Sequence, residues 1–129
     1  MEHPEFLTRG IIDQLHADSL HNFGGSAGLR DEGMILSALG SAENTWLYAI
    51  GDLFEVAASY AFHIAEAQAF VDGNKRTAVA TAMTFLTGNG VEIPVAADEV
   101  IYQAMIAIAN KHLDKKGLAE LLSKAAEAK

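Results

Sequence analysis

Cysteine is absent from the 129 residues, which excludes disulfides and thiolate metal sites. Proline occurs only twice, at Pro4 and Pro94, so nothing interrupts the long stretches between them. Aromatics make up 8% of a chain that is 50% apolar. The apolar mass is therefore Ala, Leu, Ile and Val, which suits closely packed helices. No apolar run reaches the roughly 18–20 residues of a membrane span, and Met1-Glu2-His3-Pro4 lacks the basic and apolar regions of a signal peptide. A soluble cytoplasmic protein is the simplest expectation. Positive charge is scarce: nine Lys and Arg face 17 Asp and Glu, a net charge of −8. That balance argues against a nucleic-acid binder, which shows a basic face. Most of the cations fall near the C-terminus on what reads as a solvated helix face. Lys75 and Arg76, however, stand side by side directly after Gly73-Asn74.

There is no repeat, low-complexity tract or Pro/Gly/Ser-rich linker, so one compact domain over residues 1–129 is predicted. Thr8 is a good N-cap for a first helix through Ile11, Ile12, Leu15 and Leu20, ending at Phe23-Gly24-Gly25. A short helix is predicted from Asp31 to about Leu39. Residues 40–51 read as less regular, with Trp46 and Tyr48 as packing anchors. Asp52 can cap a helix from Leu53 to about Ala69, and a second runs from about Lys75 to Thr87. Both are apolar nearly all round, which marks buried helices. Gly88-Asn89-Gly90 ends the second, and Val91–Pro94 reads as extended. Asp98 is read as the cap of a helix through Ile101, Met105 and Ile108, and an amphipathic helix covers about 116–126. Six helices and almost no strand make an all-α bundle whose central pair is joined by Phe70–Asn74.

That junction is an odd place for polarity. Asp72, Asn74, Lys75 and Arg76 interrupt the most apolar stretch of the chain, and buried charge is costly unless paired. The second helix begins here, so its first N–H groups lack intrahelical partners. Gly73 can take the positive φ that gathers N–H groups into a concave nest. A helix start, a nest and two cations suit a phosphate, and Asp72 suits a Mg²⁺ that completes its shell with water and phosphate oxygen. A plain helix-capping turn is the competing reading, since Asp-Gly and Asn-Gly turns are common. Two cations at a helix N-terminus oppose its dipole, however, unless an anion joins them.

The stretch Phe70-Val71-Asp72-Gly73-Asn74-Lys75-Arg76-Thr77-Ala78 resembles the signature of the Fic/Doc (Fido) family. It matches the form carried by the death-on-curing (Doc) toxins of toxin–antitoxin pairs, where a lysine replaces the second glycine of the Fic motif. The likeness continues through Phe23-Gly24-Gly25, Gly28-Leu29-Arg30-Asp31 and Asp52-Leu53-Phe54-Glu55. The resemblance implies a protein kinase that moves the γ-phosphate of ATP, with Mg²⁺, to a threonine of elongation factor Tu. That blocks translation until a Phd-like antitoxin neutralises the toxin. It also implies that Asp72 helps to hold Mg²⁺ and that Gly73, Asn74, Lys75 and Arg76 cradle the phosphates. Arg30, in a loop that the likeness covers, could reach the turn as a further phosphate or substrate clamp. A salt bridge from Arg30 to Asp31 or Glu32 is the alternative for that residue.

The family places a general-base histidine two residues before the motif phenylalanine. Here that position is Gln68, whose amide cannot accept a proton near pH 7. Loss of a general base costs on the order of 10²–10⁴ in rate. His63 lies roughly 7 Å back along the same helix and cannot substitute. Nucleotide binding with impaired chemistry is therefore predicted. A Fic-type adenylyltransferase is the second reading, opposed by Lys75 and by Val79, where the Fic motif usually has a second arginine. A non-catalytic antitoxin-binding pseudoenzyme is the third. His16, His21 and His112 read as ordinary surface or half-buried histidines, and Met34, Met83 and Met105 as core filler. An apolar face of Phe6, Leu7, Ile11, Ile12, Leu15 and Leu20, facing Ile101, Met105, Leu118 and Leu122, suggests a groove for an antitoxin helix.

Overall fold

The computed structural model describes residues 3–48 and 52–127. Six α-helices follow one another: α1 (Arg9–Phe23), α2 (Glu32–Tyr48), α3 (Leu53–Ala67), α4 (Asn74–Gly88), α5 (Asp98–Ala109) and α6 (Lys115–Glu127), with a short 3₁₀ turn at Val95–Ala97 before α5. The only β pairing among the described residues is one antiparallel bridge between Leu29 and Phe70. No helix among them is long and apolar enough to cross a membrane.

The N-termini of α1 and α3 are set by side-chain caps. Thr8 Oγ1 accepts from the Ile11 N–H at 3.2 Å, and Asp52 Oδ1 from that of Glu55 at 2.9 Å, each satisfying a donor that the helix cannot. α1 ends where the Gly24 N–H bonds to the Leu20 carbonyl.

α3 is the centre of the bundle and packs against α2, α4, α5 and α6. It buries every residue from Val56 to Ala61, and then Ile64 and Ala65. Alanine at 57, 58, 61 and 65 lets neighbouring helices approach closely, while Tyr60 and Phe85 of α4 fill the space between layers. The Tyr60 hydroxyl accepts the Leu7 N–H at 2.9 Å, anchoring the chain ahead of α1 to the core. Burial pushes that phenol up to about 12.

Four expectations need correction. α2 does not stop near Leu39 but continues to Tyr48, because Ile35, Ala38 and Ala42 form one buried stripe, α2 packing on α3; residues 49–51 lie outside the described part. Tyr48 is 80% exposed and anchors nothing, whereas Trp46 does pack on the core. Asp98 lies inside the first turn of α5, Ala97 taking the cap position without a side-chain bond. Met34 is exposed rather than core.

The proposed peptide groove loses its lining as well. Leu7, Ile12, Ile101, Met105, Leu118 and Leu122 are all buried in the core, and Ile11 alone of the α1 residues named for the groove stands exposed.

Candidate active site

The connection from α3 to α4 begins with Gln68, which caps α3 in the left-handed conformation (φ 52, ψ 52) with its side chain exposed. Such a conformation costs a residue with a Cβ about 1–2 kcal/mol, and here it turns the chain sharply out of the buried helix. Ala69 and Phe70 then pair with the segment after α1. The Arg30 and Asp31 N–H groups both donate to the Ala69 carbonyl, at 2.7 and 3.0 Å, and the Val71 N–H donates to the Gly28 carbonyl at 3.0 Å.

Asn74 closes the loop from the other side. Its Oδ1 accepts the Phe70 N–H at 3.0 Å and its Nδ2 donates to the Phe70 carbonyl at 2.9 Å. This buried side chain holds the loop through both its oxygen and its nitrogen, which leaves its backbone N–H as the free group at the helix start.

Gly73 takes φ 77 at the N-cap of α4 and supplies no side-chain cap. The first backbone bond into the helix is from the Thr77 N–H to the Gly73 carbonyl. The N–H groups of Asn74, Lys75 and Arg76 find no acceptor among the described residues. Neither neighbouring side chain caps them: Asn74 is bonded to Phe70, and the Asp72 carboxylate accepts the N–H groups of Gly73 and Ser26.

The Asp72 carboxylate is exposed and held from two directions. Oδ1 accepts the Gly73 N–H at 2.9 Å, and Oδ2 that of Ser26 at 3.2 Å. These two bonds hold the carboxyl below the usual carboxylate range, the Ser26 bond most, with the charge of Lys75 a smaller contribution. The close approach of Ser26 requires Gly25: a Cβ there, at φ 119, would stand 2.8 Å from Asp72 Oδ2.

Lys75 is half-buried beside the turn. Arg76 is held between two rings, its guanidinium carbon 4.2 Å from the centroid of Phe23 and 3.6 Å from that of Tyr102. Stacking uses the faces of the guanidinium and leaves its N–H edge free to donate. Phe23 is 61% exposed, so this clamp opens directly to solvent. The Arg30 side chain is exposed and forms no ion pair among the described residues. Its supposed partner Glu32 is bonded to Arg9 at 2.6 Å, so the salt-bridge alternative fails for Glu32.

Histidine reasoning missed a residue of the site. His16 is buried, stacks on Phe70 with ring centroids 3.7 Å apart and 11° between planes, and places Nε2 2.8 Å from the Asp72 carbonyl oxygen. Its position carries the signal: Ile12, His16 and Ser19 form the buried stripe of α1. Phe23, Ser26 and Tyr102 were missed too, because their roles are contacts across long stretches of chain. His63 stays away from the loop chemistry, with burial holding its imidazole below the usual histidine range.

A cavity of about 810 Å³ opens elsewhere, between Phe54 and Glu55 of α3 and Lys115, Ala119 and Ser123 of α6, and no loop residue lines it. Charge and free N–H groups, not volume, mark the loop. Among the described residues no cluster of three or more His, Asp or Glu could hold a metal alone. Asp72 nonetheless fits a Mg²⁺ shared with phosphate: its carboxylate is exposed and accepts only two N–H bonds, leaving lone pairs for a cation.

The sequence profile of the Fic/DOC family matches residues 6–86. The chain is 39% identical over 80 residues to "Protein kinase doc" of Escherichia phage P1, a match covering 61% of this chain and 64% of that protein. It is 38% identical over 125 residues to "Toxin Doc" of Mycolicibacterium smegmatis, covering 92% of each.

Proposed function

The chain belongs to the Fic/DOC family, and we propose that it is a Doc-type toxin with a phosphotransferase site at Asp72–Arg76, impaired by Gln68. The observation that carries this reading is an uncapped helix start. Free N–H groups at Asn74, Lys75 and Arg76, two cations and an exposed, held carboxylate converge on one turn. Phosphoryl transfer asks of a protein mainly positioning and charge stabilisation. In this reading the α4 N-terminus and Lys75 receive the terminal phosphate of ATP, and the edge of Arg76 donates to it. Asp72 would hold Mg²⁺, which supplies neutralisation of phosphate charge. The acceptor hydroxyl oxygen forms a bond to the γ-phosphorus while the bond to the ADP oxygen breaks. The hydroxyl proton must go to a base.

Gln68 stands where that base belongs. Its amide oxygen can accept a hydrogen bond and orient a hydroxyl, but it cannot take the proton. The proposed substrate is a threonine of elongation factor Tu, and the proposed regulator is an antitoxin of Phd type. The support for both is the kinship with "Protein kinase doc" and "Toxin Doc".

Two other readings remain testable beside it. An adenylyltransferase is disfavoured by Lys75, whose side chain crowds the place of a Fic-motif glycine, and by Val79, which is buried and cannot donate to phosphate. A pseudoenzyme that only binds an antitoxin is favoured by Gln68 itself. Incubation with γ- or α-labelled ATP and elongation factor Tu distinguishes the three. The expected result is γ-label transfer by the Gln68→His form, weak or absent in the present chain. α-Label transfer would identify the adenylyltransferase, and no transfer by either form the pseudoenzyme.

A further inference from the structure

We propose that His16 is a positioning residue that locks the Asp72–Gly73 peptide and thereby aims both the Asp72 carboxylate and the start of α4; this builds on the reading of the turn as a phosphate and metal site.

The Asp72 carbonyl oxygen can only accept, so His16 Nε2 carries the proton and donates across 2.8 Å. The ring that donates is fixed independently. Phe70 covers one face at 3.7 Å, and the α1 stripe of Ile12, His16 and Ser19 sets it against the core. A rigid donor on a helix thus holds a carbonyl in the turn between α3 and α4.

Its consequence passes through the peptide plane. A trans peptide sets C=O and N–H on opposite sides, so fixing the Asp72 carbonyl towards His16 sends the Gly73 N–H away from it, onto Asp72 Oδ1 at 2.9 Å. Gly73 at φ 77 has the freedom to let this peptide turn over. A flipped peptide would present its carbonyl to the carboxylate and break the arrangement that directs Asp72. The freedom that makes the nest possible therefore needs an external lock, and His16 supplies it from 56 residues away.

The test separates donor from ring. His16→Phe keeps the stack on Phe70 and removes the donor; His16→Gln keeps a donor at the Nε2 position and removes the ring. Two readouts are taken on the full chain: hydrogen exchange of the Gly73 amide by NMR, and ATP–Mg²⁺ affinity by calorimetry. The expected result for His16→Phe is a melting temperature close to the parent's, with Gly73 exchange faster and ATP–Mg²⁺ affinity weaker, each roughly three- to tenfold as befits one lost hydrogen bond. His16→Gln should restore both towards the parent. If the phenylalanine form does not fold, His16→Met fills similar space without a donor and carries the same expectation. Unchanged Gly73 exchange in the donor-less form, or equal impairment in His16→Gln, overturns the proposal. If exchange responds as expected while the parent binds no nucleotide, the lock stands and the phosphate reading falls.

Discussion

Gln68 combines a left-handed backbone with an exposed side chain at the exit of α3. Strain of that kind persists only when its surroundings impose it, and here the paired backbone of Arg30, Asp31 and Ala69 does so. A histidine at 68 would inherit the same exposed direction, and the expected gain in phosphoryl transfer is on the order of 10²–10⁴. His63, five residues earlier, makes a contrasting prediction. Burial holds its folded pKa below the unfolded value, with Lys115 adding to the effect. The unfolded chain then binds a proton that the folded chain refuses, so this residue costs stability as pH falls below about 6.5. Melting temperatures between pH 7.5 and 5.5 should decline less steeply in His63→Phe than in the parent. An identical slope would show that the imidazole titrates alike in both states.

Between elements, the site is a seam where two loops are tied together by backbone and by Asp72. The tightest point of that seam is Gly25. Gly25→Ala forces a Cβ to within 2.8 Å of Asp72 Oδ2 and 3.1 Å of Leu20 Cδ2, at a φ of 119. The expected cost is about 1–3 kcal/mol in denaturant unfolding, together with weakened Mg²⁺ dependence of nucleotide binding as the carboxylate moves. Wild-type stability and metal dependence in that variant would contradict the seam as drawn. Much of this level was legible in the sequence. α3 and α4 announce themselves by continuous apolar residues, and Thr8 and Asp52 by cap chemistry. The sequence shortens α2 because Gly40, Ser41 and Asn44 are poor helix formers, and only packing on α3 overrides that preference. The turn itself was legible as polar residues in an apolar setting. The duties within it were not: that Asn74 ties the loop, that Arg76 is clamped by Phe23 and Tyr102, and that His16 reaches Asp72 are contacts between distant parts of the chain.

At the scale of the whole molecule, a net charge of −8 coexists with a local cluster of cations at one turn. The field around the protein favours a basic partner, so the proposed antitoxin segment is expected to carry Lys or Arg on its flanks. Its association rate should then fall as salt rises from 50 to 500 mM; a salt-independent rate would remove electrostatics from the encounter. The same negative field repels free nucleotide, so the proposed binding of ATP rests on the Asp72–Arg76 turn together with Mg²⁺. Calorimetric titration of ATP–Mg²⁺ tests that most directly, in the present chain and in Asp72→Ala, Gly73→Val and Arg76→Ala. The account predicts measurable binding in the present chain, weaker binding in Gly73→Val and Arg76→Ala, and loss of the Mg²⁺ dependence in Asp72→Ala. Unchanged affinity and metal dependence in all three would contradict it and leave the turn a structural one.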